Sequence, residues 1–182
     1  MRRVAVVVCL VAVFLVCVGD AEAQSCPNNN IPHVTGTWTT LPYQMPVNPV
    51  STTLLHDGRI LLVTGSENDA YNNTTASQSY RAAIWDPAGA TAASVQVQEV
   101  YYDVFCSGTA LLPHGRPLVV GGTSNYVFTG DKRATFYDPA TGAFAQSPGM
   151  ADGRWYATAT ALGDGRVMAF SGLSSSGGSN TT

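Results

Sequence analysis

The chain has 182 residues, with 9 Lys and Arg against 12 Asp and Glu, and a formal net charge of −3. Charged residues make up only 12% of it and the basic ones are scattered, which excludes a partner recognised through nucleic-acid phosphates. Beyond residue 18 no apolar run approaches the roughly 20 residues that a membrane-crossing helix needs.

The first residues read as a leader rather than as part of a fold. Arg2 and Arg3 precede an apolar run from Val4 to Val18, and the small-residue pattern Ala21-Glu22-Ala23 follows. This is the order of a secretory signal peptide, cut between Ala23 and Gln24. It predicts a secreted product, extracellular or periplasmic, with no membrane attachment after cleavage. The alternative, an uncleaved anchor, has a short apolar run for the task. Cys17 follows bulky Val16, which argues against a lipidated cysteine. The expected organisation is a signal peptide over 1–23 and one domain over 24–182.

Cys26 and Cys106 remain after cleavage. In an oxidising compartment they can pair as a disulfide, although Cys106 has a second reading, given below. Asn72-Asn73-Thr74, Asn73-Thr74-Thr75 and Asn180-Thr181-Thr182 match the glycosylation acceptor pattern, which matters only in a host that glycosylates.

An internal repeat dominates the rest. Aligning Gly58, Gly115 and Gly165 superposes three segments, near 51–66, 108–123 and 158–173. Each glycine is followed by an arginine (Arg59, Arg116, Arg166), and a second glycine recurs at Gly65, Gly122 and Gly172. Asp57-Gly58 and Asp164-Gly165 are hairpin-turn dipeptides, because Gly adopts positive φ without steric cost. The run after each turn is apolar nearly throughout, as in Ile60 to Val63, which is how a strand covered on both faces reads. Ile84-Trp85-Asp86-Pro87 matches Phe136-Tyr137-Asp138-Pro139 in the same phase. Trp38 after Gly36 and Phe144 after Gly142 mark a last strand. A period of roughly 50 residues is the kelch range. The expected fold is therefore all-β, a kelch-type β-propeller with about three blades present. Propellers close with about four to eight blades, so the chain reads as the N-terminal part of a longer one, or as one that closes by self-association.

Two short motifs sit at matching places just before the first strand of their hairpins: Asp103-Val104-Phe105-Cys106-Ser107-Gly108 before the second, and Gly153-Arg154-Trp155-Tyr156 before the third. Together, one repeat apart, they resemble the cysteine and tyrosine motifs of the copper radical oxidases, the family of galactose oxidase and glyoxal oxidase. The wording of Arg154-Trp155-Tyr156 is closer to the glyoxal oxidase side. The resemblance implies that Cys106 forms a thioether to the ring of Tyr156, and that Tyr156 binds copper and carries a radical. It implies oxidation of a primary alcohol, an aldehyde or a carbohydrate, with dioxygen reduced to hydrogen peroxide. Copper and the cross-linked Cys-Tyr radical would be the cofactors.

Departures from that family are also visible. Its remaining copper ligands, a second tyrosine and two histidines, come from later regions with no counterpart here, so the fragment is expected to be inactive alone. His56 and His114 fall in hairpin turns and His33 in the lead-in, a poor arrangement for converging ligands. The tryptophan that stacks on the galactose oxidase cofactor is matched by about Ser174. Without the resemblance, Cys106 reads as a small buried hydrophobe or half a disulfide, and Tyr156 as packing. The alternative function is a non-catalytic kelch propeller that binds a glycan or a protein. Asp86 and Asp138 read as turn formers, the three arginines as hydrogen-bonding within or between blades, and Tyr101, Tyr102 and Asp103 as packing or as lining a central opening.

Overall fold

The structure, a computed structural model, describes residues 36 and 39–178. The signal-peptide segment, Cys26, His33, Trp38 and the Asn180 acceptor lie outside the described residues. The chain divides into units Met1–Thr40 and Leu41–Thr182, and the following concerns the second.

Among the described residues the fold is all-β, with only two short 3-10 turns, Ala70–Asn73 and Ala92–Ser94. Sheet 1 joins β1 (Ser51–Leu54), β2 (Ile60–Gly65), β3 (Arg81–Trp85) and β4 (Val95–Glu99) in sequence order, all antiparallel. Next come β5 (Gly108–Leu111) and β6 (Pro117–Val120), then a small hairpin of β7 (Thr123–Asn125) and β8 (Thr129–Gly130). With β9 (Ala134–Asp138) and β10 (Ala143–Ser147), β5 and β6 form sheet 2 in the order β10-β9-β6-β5. A last hairpin pairs β11 (Thr158–Ala161) with β12 (Val167–Phe170). Sheets 1 and 2 are thus the same meander twice, with the β7–β8 hairpin inserted in the second.

The three repeats coincide with the three hairpins β1–β2, β5–β6 and β11–β12. Gly58, Gly115 and Gly165 sit in their turns at φ +86°, +82° and +86°, the conformation for which glycine is needed. Asp57 Oδ1 accepts from the Arg59 backbone N–H at 3.0 Å, and Asp164 Oδ1 from that of Arg166 at 3.1 Å. Each arginine closes back on its aspartate at 2.7 Å. In the second repeat, His114 replaces the aspartate: Arg116 Nε donates to His114 Nδ1 at 3.2 Å, and its guanidinium covers the Phe136 ring at 4.5 Å. Arg59 also reaches the Pro139 carbonyl in sheet 2 at 3.4 Å. The two Asp-Pro landmarks end β3 and lead out of β9 through the same local turn, Asp86 and Asp138 each accepting from the amide two residues on at 3.0 Å.

Burial explains the apolar runs. Leu61, Val63, Ala82 and Ile84 of sheet 1 meet Val119 and Tyr137 of sheet 2, with Tyr102 and Val104 of the connecting segment between them. The opposite face of sheet 1, Leu62, Ala83 and Val95, is covered by Tyr43, Met45 and Val47. Strand β2 is therefore enclosed on both sides, as its continuous apolar run predicted. β12 differs: Met168 and Phe170 are exposed at 46% and 44%.

The connecting segment ahead of β5 is packed, not open. Tyr102 and Asp103 are buried, and the Tyr101 and Tyr102 hydroxyls donate to the carbonyls of Ala134 and Arg133 at 2.9 and 3.2 Å. Of the two readings of these residues, packing applies to Tyr102 and Asp103. Their neighbour Gly122, at φ +135°, lies so close to them that a Cβ there would collide with the Asp103 carbonyl oxygen.

Candidate functional site at the hairpin entrances

Cys106 and Tyr156 hold equivalent places, each two residues before the first strand of its hairpin, β5 or β11. Both adopt the left-handed backbone conformation, φ +55° and +65°, which side-chain-bearing residues adopt at a cost of order 1–3 kcal/mol each. The two turns are joined directly, the Tyr156 backbone N–H donating to the Cys106 carbonyl at 2.9 Å. The repeat spacing alone does not bring them together. What does is the close packing of β5 against β11, where Gly108 leaves room for Ala157 and Ala159.

The Cys106 turn is set by a buried carboxylate. Asp103, 1% exposed, accepts through Oδ1 from the amides of Ser66 at 2.9 Å and Phe105 at 3.0 Å, and through Oδ2 from Asn73 Nδ2 at 2.6 Å. Three N–H donors compensate its desolvation. Through them, Asp103 ties the loop leaving β2 to the residue before Cys106. Asn73 is one of the glycosylation acceptors read from the sequence, and its side-chain nitrogen is occupied in this contact.

The Tyr156 turn is set by its neighbours in the chain. Trp155 forms a bridge with Leu173, with N–H···O distances of 2.9 and 2.7 Å in the two directions, and Arg154 Nη1 donates to the Ser171 carbonyl at 2.8 Å. The Trp155 ring is buried and stacks on that of Tyr156, with centroids 5.1 Å apart and planes at 16°. Tyr156 itself is 57% exposed. It borders an open pocket of about 300 Å³ formed with Trp155, Ser171, Gly172 and Leu173. Ser174, which occupies the place of a stacking tryptophan in the sequence comparison, is a buried turn residue whose Oγ lies 2.9 Å from Ser176 Oγ. The ring beside Tyr156 comes instead from Trp155.

Cys106 is half-buried and carries a free thiol. Burial pushes that thiol above its usual range, while hydrogen bonds with the Tyr156 and Trp155 side chains pull the other way. Burial also raises the Tyr156 phenol, and the adjoining Cys106 sulfur raises it further. Both shifts run upward, so thiol and phenol are each held in the protonated form at neutral pH.

Tyr126, Val127 and Phe128, at the tip of the inserted β7–β8 hairpin, were not singled out from the sequence. Tyr126 stacks on Phe105 at 5.6 Å and meets Trp155 edge-on at 5.9 Å; Phe128 approaches Trp155 at 5.9 Å. The Tyr126 hydroxyl is 2.7 Å from Ser66 Oγ, and burial pushes its phenol up to about 12. Because the hairpin interrupts the repeat, the repeat alignment contains no signal for it.

Copper finds an incomplete ligand set here. Tyr156 offers one oxygen donor. His56 and His114 are exposed in the hairpin turns, and among the described residues no three His, Cys, Asp or Glu side chains converge as metal ligands. The described residues do not by themselves make a copper site.

No protein-family model matches this sequence, and no curated protein does either. Solved structures do match in fold. Among them is a novel fungal alcohol oxidase with catalytic diversity among the AA5 family, in complex with copper, at a TM-score of 0.58 and 20% identity. The match covers 71% of this chain and 26% of that one, so the chain spans about a quarter of the length of the protein it resembles.

Proposed function

We propose that the chain is the propeller segment of a secreted copper radical oxidase, with residues 1–23 as its signal peptide and residues 24–182 as partial kelch blades of a seven-bladed propeller. Sheets 1 and 2 are two blades and the β11–β12 hairpin is the inner half of a third. The adjacency of β5 and β11, and of the His56 and Gly115 turns, supports a radial order of blades. Cys106 and Tyr156 are the redox pair. The observation that carries this reading is their meeting: two residues one repeat apart, joined through the backbone at 2.9 Å, with a free thiol beside an exposed phenol.

In this reading, Cys106 Sγ and a Tyr156 ring carbon become bonded. The S–H and ring C–H hydrogens leave as two protons and two electrons, and dioxygen accepts them as hydrogen peroxide. Sulfur donates electron density to the ring, so the phenol is oxidised more easily. Tyr156 provides one copper ligand, and the others would come from outside the described residues. Copper supplies the second one-electron acceptor when bound. The substrate is a primary alcohol, aldehyde or carbohydrate small enough for the pocket beside Tyr156, and dioxygen is the final oxidant. The fold likeness to a copper-bound alcohol oxidase supports this class.

Peptide mass spectrometry of the secreted protein, exposed to copper in air and then reduced, tests the pair. A Cys106–Tyr156 peptide pair lighter by two hydrogens and stable to reductant is expected. Separate peptides in protein that has bound copper overturn the radical mechanism. They would favour the second reading, a glycan- or protein-binding propeller, which has its own support in the exposed side chains of Val127, Phe128 and Tyr156.

A further inference from the structure

The loop that leaves β2 carries two overlapping glycosylation acceptors, Asn72-Asn73-Thr74 and Asn73-Thr74-Thr75, and the redox reading uses neither. Asn72 and Asn73 close the 3-10 turn Ala70–Asn73, which Asp69 caps by accepting from the Tyr71 backbone N–H at 2.9 Å. Both asparagines are half-buried and both threonines are exposed, so exposure does not choose between the two acceptors. Their hydrogen bonds do. Asn73 Nδ2 donates to Asp103 Oδ2 at 2.6 Å, and Asp103 is 1% exposed. A bond to a carboxylate is roughly twice as strong as one to a neutral acceptor, and a buried carboxylate that loses a donor is costly. Asn72 Nδ2 donates to the neutral Ser66 carbonyl at 3.2 Å, the long end of the normal range. The residue before it, Tyr71, is 64% exposed, an amphipathic ring available to pack on the apolar face of a sugar.

We propose that Asn72 is the N-glycosylation site of this loop and that Asn73 is barred from modification by its contact with Asp103. In the transfer, Asn72 Nδ2 bonds to C1 of an oligosaccharide carried on a lipid pyrophosphate. The C1–O bond to the pyrophosphate breaks and one Nδ2 proton is released, while the second N–H stays to donate to the Ser66 carbonyl. A glycan is bulky and belongs at the surface. On Asn73 it would sit on the nitrogen that meets a buried carboxylate, and it would loosen the anchor that holds the residue before Cys106. A chain glycosylated at Asn73 therefore does not complete this junction, whereas one glycosylated at Asn72 does. The proposal rests on the reading of residues 1–23 as a secretory leader and not on the redox pair.

The test expresses the full chain in a eukaryotic host that attaches N-linked glycans, once with residues 1–23 and once with a leader known to direct secretion in that host. An amidase in ¹⁸O-water converts each glycan-bearing asparagine of the secreted protein to labelled aspartate, and tandem mass spectrometry places the label. Label is expected at position 72 and none at 73. Thr75→Ala, which removes only the Asn73 acceptor, is expected to leave the glycan unchanged. Thr74→Ala, which removes only the Asn72 acceptor, is expected to abolish the glycan of this loop in the secreted product. Both variants keep the two asparagines, so the contact with Asp103 stays in place. Label at 73 in the secreted protein, or no label at either position, overturns the proposal. Label at 72 with the borrowed leader but no secretion through residues 1–23 would sink the secretory reading alone. Secretion through residues 1–23 with position 72 unlabelled would sink the acceptor assignment alone.

Discussion

Strands β6 and β12 occupy the same place in their repeats, yet one is buried and the other is not. Val119 of β6 is fully buried, whereas Met168 and Phe170 of β12 are nearly half exposed. β6 is flanked by β5 and β9 and lies against sheet 1, while β12 pairs with β11 alone. The local sequences are equally apolar, so burial here depends on which elements lie beside the strand. The turns ahead of β5 and β11 show the same asymmetry. Phe105 and Trp155 are both buried, but Cys106 is half-buried and Tyr156 exposed. The pair thus has one member at the edge of the packed interior and one facing solvent.

This comparison is sharpened first where the packing is tightest. Gly122→Ala places a methyl group against the Asp103 carbonyl and is expected to cost more than about 4 kcal/mol, at the extreme of single substitutions. Soluble yield and the urea midpoint would report it, and a near-native midpoint would mean that the junction between the sheets is looser than described. Leu61→Ala, in the fully enclosed strand β2, is expected to cost about 2–5 kcal/mol by the same measurement. Asp103→Asn keeps acceptor capacity for the Ser66 and Phe105 amides but sets an NH2 group against that of Asn73. It is expected to lose about 1–3 kcal/mol and to change the alkylation rate of Cys106, whose turn it anchors.

Alkaline pH probes the buried side without mutation. Burial holds the Tyr102 phenol well above its usual range and that of Tyr126 at about 12. A raised folded pKa stabilises the fold fully below the unfolded value of about 10, and that stability is lost as pH climbs through the folded value. Thermal midpoints are therefore expected to fall between about pH 10 and pH 12, and Tyr102→Phe should flatten that decline. Met168→Ala, on the exposed face of β12, is the smallest effect, within about 0.5 kcal/mol. A loss as large as that of Leu61→Ala would mean that β12 is covered in solution, as it would be if a further strand or a second copy packs on it.

What the amino-acid sequence determined by itself is local. The Asp-Gly-Arg turns, the Asp-Pro turns and the alternation of strands each depend on residues a few positions apart, and glycine conformational freedom and side-chain-to-backbone hydrogen bonds encode them directly. The periodic recurrence of these turns placed Cys106 and Tyr156 in the same register. The tertiary structure decided everything that joins distant parts of the chain: the contact between the Cys106 and Tyr156 turns, the stacking of Trp155 rather than a residue at Ser174, and the choice of Asp103 as an anchor rather than a lining residue. Those contacts depend on how closely one sheet approaches the next. That distance is set by the summed packing of side chains far apart in sequence, and no short stretch of residues encodes it.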